Sequence, residues 1–520
     1  MIAGPTLQAL AKAAASRFGD RICLSGGGRR WSFAAFDALC DRVASALATH
    51  HPSGSRVALF MANRPEYLIL HCAIERAGLV RVPVNMRSPA ADVRHIIEDT
   101  GARLILHDRS TTGIVAELQD SGPAPEAVDV ENPAAWDALA THPPLPDLLN
   151  RAGLNDLCSI NYTSGSSGRP KGIMLTHGNW LAVCRNMLID RDIRGSDIVG
   201  HIGPLSHASG SYFLPWFLRG GHSVVVPGGT VDGLLDAIEQ DRITVFTCVP
   251  TVLTRIVNHP GMAGRDLTSL RAIGYGAEPI PQNTLQRALD LFGPILTQNY
   301  GQSEAYMTIT FLSPDDHFEP AADGGRGAVR IGCIGRPYSC VLVALRNEDG
   351  SIVEPGQSGE ITVRSDHVMA GYWKLPAETA RTLRDGWLWT GDLARADEDA
   401  RLYLVGRRKE MLISGGFNIY PQEIEAVLTA HDGATDAAVV AVPDADWGEI
   451  AVAFVAPVPG RVVEIAELAR HCKALLGYRS PKRFILIDEL PRNSAGKIDK
   501  RALKAGFLGD GMQGESAVHA

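Results

Sequence analysis

The sequence predicts an α/β fold with a β-rich insert and a separate α+β unit at its C-terminal end. Three observations predict it. Short apolar runs alternate with stretches of helical periodicity through the first 300 residues or so. After Pro314 the pattern changes to runs of β-formers broken by Asp349-Gly350 and Pro355-Gly356. After Arg407 a compact mixture of helix and strand occupies about 110 residues, enough for a small domain.

The elements follow in order. Residues 56–63 (RVALFMAN) form an apolar run, 65–77 carry apolar residues at helical spacing until Gly78 stops them, and 79–85 (LVRVPVN) read as a second strand. A helix over 89–100 and a strand over 102–107 come next. Strands spaced by helices in this way imply a parallel sheet covered on both faces. Residues 121–146, rich in Pro, Ala and acidic side chains, read as a surface excursion. Further strands are expected at 197–201, 222–227, 245–249 and 270–274, with helices such as 230–241 and 282–292 between them. Residues 331–364, with CVLVAL and GEITVR, suggest hairpins or a small barrel. In the last unit, helices are expected at 422–431 and 465–476 and strands at 437–442 and 450–457.

Composition narrows the function classes. The 520 residues correspond to about three to four units, and 45% hydrophobic against 21% charged residues exclude wholesale disorder. Fifty Lys and Arg against 58 Asp and Glu give a net charge of −8, which disfavours nucleic-acid binding through bulk charge. No apolar run approaches the roughly 18 residues of a membrane span. The first 17 residues lack the pattern of a secretory signal, and the polar tail ends in neither a prenylation box nor a peroxisomal tripeptide. Nine cysteines without a Cys-x-x-Cys pair read as reduced thiols in a cytoplasmic protein rather than zinc ligands.

The chemistry is carried by loops. Residues 162–177 (YTSGSSGRPKGIMLTH) gather short hydroxyls and glycines, then supply Arg169 and Lys171, a set suited to cradling a polyphosphate. The glycine spacing is not that of a Walker A loop, and taken alone the segment reads equally as a flexible polar loop. GYGAEP at 274–279 begins like a dinucleotide fingerprint, but Pro279 stands where the third glycine belongs. NYGQSE at 299–304 offers an aromatic face in Tyr300, a hydroxyl in Ser303 and a carboxylate in Glu304, the groups that stack a base, contact phosphate and hold Mg2+. Thr390-Gly391-Asp392 puts a carboxylate at a tight turn, where a backbone cap is the plainer reading. Residues 406–410 (GRRKE) with Ser414-Gly415-Gly416 form a cationic, glycine-rich joint, and 493–500 (NSAGKIDK) is a polar loop bearing Lys497.

Together these loops resemble the adenylate-forming superfamily of acyl- and aryl-CoA synthetases, peptide-synthetase adenylation domains and firefly luciferase. The ordered motifs are YTSGSSGRPKG, GYGAEP, YGQSE, WTGD, GRRKE with SGGFNIYPQEIE, and NSAGKIDK, and they span nearly the whole chain. Ser303 replaces the commoner threonine. The resemblance implies a large N-terminal portion, residues 1–408, made of two sheet-and-helix subdomains and a small β-barrel. A mobile α+β lid, residues 409–520, would turn on a hinge near Lys409.

The resemblance also implies two half-reactions. A carboxylate attacks the α-phosphorus of ATP to give acyl-adenylate and pyrophosphate, and a thiol then expels AMP. By the same resemblance, Thr163, Ser164, Gly165 and Lys171 embrace the outer phosphates. Tyr300, flanked by Asn299 and Gly301, stacks on adenine beside the Gly276-Ala277-Glu278 turn. Ser303 contacts the α-phosphate, Glu304 holds Mg2+, and Asp392 and Arg407 grip the ribose. Lys497 is the catalytic cation. Rotation at Lys409 would bring Gly415 and Gly416 to the cleft and open a pantetheine tunnel.

By the resemblance, His207 in PLSHASG matches a position lining the family's acyl pocket, which should draw on segments 207–212, 246–251, 275–278 and 300–307. None of these carries Arg or Lys, which disfavours a second substrate carboxylate. The expected substrate is a mostly apolar acid, medium-chain, cyclic or aromatic. ATP, Mg2+ and coenzyme A are the expected cofactors, with a carrier-protein phosphopantetheine as the alternative acceptor. A homodimer is left open.

Overall fold

The computed structural model describes residues 5–120, 125–163, 169–323, 325–458, 460–493 and 497–509. Thr6 and Ser32 each accept a backbone N–H three residues on, from Ala9 at 3.4 Å and Ala35 at 3.2 Å, and so start the helices Leu7–Phe18 and Phe33–His50. On the second helix Phe33, Phe36, Cys40, Val43 and Leu47 recur every three or four residues and turn one stripe inward. Phe33 and Phe36 meet Phe213 and Phe217 at centroid distances of 4.5–5.4 Å, tying this helix to the middle of the chain.

The first sheet has seven strands in the order Gly371–Tyr372, Lys171–Thr176, Leu157–Thr163, Val80–Pro83, Arg56–Phe60, Leu104–His107 and Glu126–Asp129. The last five run parallel. Val80–Pro83 and Leu104–His107 are buried throughout, as strands covered on both faces must be. The edge strand Glu126–Asp129 and the helix Pro133–Ala140 lie inside the stretch expected to be a surface excursion. Asn132 caps that helix and Pro133 occupies its first turn, so a helix start is written there in a composition that otherwise reads as loop. Trp136 and Leu139 then pack against the core.

The second sheet begins with six parallel strands, Leu296–Tyr300, Ala272–Gly276, Val245–Cys248, Ile198–His201, His222–Val225 and Ile22–Gly26. It continues antiparallel through Thr310–Leu312, Cys333–Pro337, Leu402–Arg407, Trp387–Ala396, Gly359–Arg364 and Leu342–Arg346. Among the described residues no pairing joins Leu342–Arg346 back to Cys333–Pro337. The β-rich insert is therefore an open extension of the sheet, not the closed barrel expected. Gly335 makes the join possible: its φ is +83°, and a Cβ there would lie 2.0 Å from the carbonyl oxygen of Phe311.

From Leu412 onward the strands pair only with one another among the described residues. Phe417–Ile419, Leu412–Ser414, Gly448–Pro457 and Ala434–Asp444 form an antiparallel ladder, and Arg483–Leu486 adds a parallel strand to Gly448–Pro457. Along Ala434–Asp444 the pleat sends Ala437 and Val439 to a core shared with helices Pro421–Thr429 and Ile465–Leu476. Ala438, Val440 and Val442 face a second core closed by Leu503 and Phe507 of Lys500–Leu508. Among the described residues no helix is long and apolar enough to cross a membrane.

Candidate active site

The Ser- and Gly-rich segment connects the antiparallel strands Leu157–Thr163 and Lys171–Thr176, in which Thr163 and Lys171 are cross-strand partners. Ser164 and Gly165 lie outside the described residues. Gly172 is needed where it stands, because a Cβ would meet Ile160 Cγ2 at 2.8 Å and the Tyr162 ring at 3.0 Å. Lys171 Nζ pairs with Glu378 Oε2 at 3.0 Å and sits 5.5 Å from the centre of the Tyr372 ring. Thr176 and Asn179 form a capping box that starts the helix His177–Asp190. The same Asn179 donates to the carbonyls of Asp366 and Val368 at 2.7 and 2.9 Å.

That contact braces the metal candidate. Met369 N donates to the Glu304 carbonyl at 2.8 Å, and Tyr372 Oη donates to Glu304 Oε1 at 2.8 Å. Burial, and then the carboxylate beside it, push the Tyr372 phenol pKa up. Tyr372 thereby brings Lys171 and Glu304 to one place. No local sequence pattern marked it.

The expected ribose ligands also meet. Asp392 is buried and is the cross-strand partner of Arg407. Its Oδ1 lies 3.0 Å from Arg407 Nε, while Oδ2 accepts from Tyr300 Oη and Gln302 Nε2, both at 2.7 Å. The Asp392 carboxylate is the first cause of the raised Arg407 pKa. The tight turn expected at Thr390-Gly391-Asp392 is instead a bulge within the strand Trp387–Ala396, opposite the register shift between Glu360 and Thr362. Gly391, at φ +75°, supplies the kink that the sequence made look like a turn. Gln302 was missed although it lies inside the YGQSE motif.

Five residues expected at the nucleotide have structural duties visible here. Gly276 pairs with Asn299, and a Cβ on it would lie 2.4 Å from the Asn299 carbonyl oxygen. Asn299 is held at both ends of its amide, donating to Tyr212 Oη at 2.8 Å and accepting from Tyr338 Oη at 2.9 Å. Gly301 packs against the backbone of Met307. Ala277 adopts φ +74° and turns the chain so that Glu278 Oε1 accepts from Thr251 N and Oγ1 at 3.1 and 2.7 Å. Ser303 is half-buried between Gln302 and Glu304.

Lys497 reaches this cleft from the C-terminal unit. Its side chain is exposed, with the ammonium in electrostatic range of Arg407, Glu278, Asp392 and Glu304. Burial lowers its pKa, helped by Arg407, while Glu278, Asp392 and Glu304 act in the opposite direction. Beside it, burial and then the Lys497 charge hold His207 down to about 4, so that its ring is neutral at pH 7. Ser206 Oγ contacts His207 Nδ1 at 2.9 Å. Lys409 is exposed in the single turn Arg408–Glu410, and Gly415 and Gly416 form a hairpin tip braced by a bond from Gly415 N to the Trp447 carbonyl at 3.0 Å.

The expected acyl segments divide. Phe246 and Tyr275 are buried in a separate core, with Tyr275 Oη 3.0 Å from His317 Nε2, so their side chains do not line the cleft. Tyr306 packs on Trp180 at 4.8 Å and its hydroxyl lies 3.4 Å from Ser211 Oγ. Among the described residues no group of three His, Cys, Asp or Glu side chains could form a metal cage.

Comparison with known proteins identifies the family. The AMP-binding enzyme family matches residues 11–373, and the AMP-binding enzyme C-terminal domain matches residues 423–497. A feruloyl-CoA synthase of an Amycolatopsis species is 37% identical over 494 residues, covering 92% of this chain and 95% of that protein. A medium/long-chain fatty-acid–CoA ligase of Mycobacterium tuberculosis is 34% identical, covering 90% and 85%. The structure of an amide bond synthetase from Marinactinospora thermotolerans superposes with a TM-score of 0.87 at 28% identity, over 96% of this chain and 99% of that one. The chain belongs to the AMP-binding enzyme family, the enzymes that activate a carboxylic acid as its adenylate.

Proposed function

We propose that the chain is an AMP-forming acid–CoA ligase acting on an aryl-bearing, mostly apolar monocarboxylic acid. The observation that carries this reading is the convergence in one cleft of Asp392 with Arg407 and Tyr300, and of Glu304 with Tyr372 beside Lys171, with the Lys497 ammonium in electrostatic range of both carboxylates. A carboxylate and a triphosphate repel each other, so the first step needs positive charge where their oxygens meet. Lys497 supplies it by spanning the attacking carboxylate and the α-phosphate oxygens, and it transfers no proton. Lys171 and Thr163 hold the outer phosphates, Tyr300 stacks on adenine, and Asp392 with Arg407 receives the ribose hydroxyls.

Mg2+ fits this donor set. It keeps most of its water and phosphate ligands and takes one or two protein carboxylates, and Glu304 offers one beside Lys171. Bound there, it neutralises charge on the phosphates. In the second step the unit beginning at Lys409 turns, withdraws Lys497, and brings Gly415 and Gly416 to the cleft, where the CoA thiol displaces AMP. Likeness to a feruloyl-CoA synthase supports an aryl acid. Nine free cysteines, eight of them buried, suit a reducing compartment such as the cytoplasm.

Pyrophosphate exchange across a panel of acids, followed by thioester release with CoA or a phosphopantetheinyl protein, tests the proposal. Exchange with aryl acids and release by CoA is the expected result. Release by the carrier alone would reassign the acceptor, and exchange confined to alkyl acids would reassign the substrate.

A further inference from the structure

Lys497 stands on a short hairpin. Arg492 and Ile498 bridge across it, Asn493 N donates to the Lys497 carbonyl at 2.8 Å, and Lys497 N donates to Asn493 Oδ1 at 3.1 Å. The Arg492 guanidinium faces two carboxylates on opposite sides of the boundary between the units. Its Nη2 lies 2.6 Å from Asp436 Oδ2 on Ala434–Asp444, and its Nη1 lies 3.9 Å from Glu278 Oε2 in the nucleotide cleft. Glu278 is fixed from behind through its other oxygen by Thr251. A second bond crosses at the same spot, from Asn283 Nδ2 to the Ala434 carbonyl at 3.1 Å.

We propose that Arg492 is a positioning residue that latches the Lys497 hairpin against the cleft, with Asp436 aiming its guanidinium and Glu278 receiving it. The charges at this boundary explain why a cation is needed. Asp436, first through burial and then through the neighbouring Glu278 and Glu425 carboxylates, is pushed up to about 6 despite Arg492. Lys500 is already taken by Glu410 and Glu425 at 2.8 and 2.9 Å. Without Arg492, bringing the units together sets Asp436 against Glu278 with Lys497 as the remaining nearby cation. The latch thus cancels a repulsion that exists only while Lys497 is in the cleft, and it acts in the first half-reaction alone.

The inference rests on the role given to Lys497, and the test separates the two. Pyrophosphate exchange and thioester formation from supplied acyl-adenylate are measured for Arg492→Met, Arg492→Lys, Asp436→Asn and Lys497→Ala. Exchange is expected to slow about tenfold in Arg492→Met, equivalent to about 1.4 kcal/mol. A smaller loss is expected in Asp436→Asn, most of the rate should return in Arg492→Lys, and thioester formation should be unchanged in all three. If Lys497→Ala separates the half-reactions but Arg492→Met slows both alike, or neither, the latch is refuted while the Lys497 role stands. If Lys497→Ala itself fails to separate them, both fall. Because Asp436→Asn preserves shape, its exchange rate tests the latch even if Arg492→Met folds poorly; an unchanged rate there refutes the aiming role.

Discussion

Gly301→Ala tests whether close backbone contact, and not only the motif's polar groups, builds the acyl side of the cleft. The added methyl would lie 2.6 Å from Met307 Cα and 2.7 Å from both its carbonyl carbon and its nitrogen. Carbon contacts are comfortable at roughly 3.5 Å, so the turn must retreat by about 0.8–0.9 Å. It has little freedom to do so. Met307 holds φ +59°, Thr308 N donates to the Tyr306 carbonyl at 2.7 Å, and Ile309 N returns to the Tyr300 carbonyl at 3.0 Å. This is a γ-turn with a non-glycine residue at positive φ, already strained. Overpacking of this kind costs about 1–3 kcal/mol, and a displacement near 1 Å at a substrate-positioning residue costs on the order of 100-fold in kcat/KM. Urea unfolding and pyrophosphate exchange at varied acid concentration measure the two effects. Gly113→Ala is the control: it lies in the helix Thr112–Gln119 with nothing within 4 Å of the new methyl, and should stabilise by about 0.4–1 kcal/mol. A Gly301→Ala enzyme with wild-type exchange kinetics and an unshifted urea midpoint would refute the reasoning.

Lys497→Ala should lose pyrophosphate exchange by at least about 100-fold while still converting supplied acyl-adenylate to thioester; equal losses would remove its assigned role. Gln302→Ala removes one resident donor with which a nucleotide must exchange at Asp392 and should lower the KM for ATP about threefold with kcat little changed, whereas a loss in kcat alone would contradict a ribose-side role. His201, His207, His222, His317 and His367 are all held down to about 4, chiefly by burial. Their unfolded forms bind protons from about pH 6.5 downward while the folded forms do not, so their contribution is present above that pH and lost as pH falls toward 4. Urea midpoints should therefore drop steeply from about pH 6.5 to about pH 5, against a small opposing contribution from the raised Asp436 carboxyl, and a flat profile would count against the burial.

Local signals were legible where a short segment decides its own structure. The helices Gln282–Phe292 and Ile465–Leu476 occupy the residues that their apolar spacing and flanking Gly or Pro indicate. The Glu126–Asp129 strand was not legible, because its place at a sheet edge depends on Leu104–His107 and not on its own polar composition. The open ladder in place of a barrel reflects the same limit. Whether Leu342–Arg346 finds a second partner is a matter of pairing between distant strands. In the site, the motif residues carried the nucleotide reading, but Tyr372, which joins Lys171 to Glu304, stands 68 residues beyond the carboxylate it serves. Phe246 and Tyr275 failed as pocket residues because alternate residues of a strand face opposite ways, and their side chains went to the core.

The Asp392 carboxylate has consequences for the end of the reaction cycle. With Tyr300 and Gln302 already donating to it and Arg407 paired with it, a nucleotide bound as proposed would exchange partners there instead of filling a vacancy. The strength of its grip is then a difference between two nearly matched sets of bonds. In the proposed cycle, the resident donors would reclaim the carboxylate as AMP leaves, so the protein itself would help to expel its spent product.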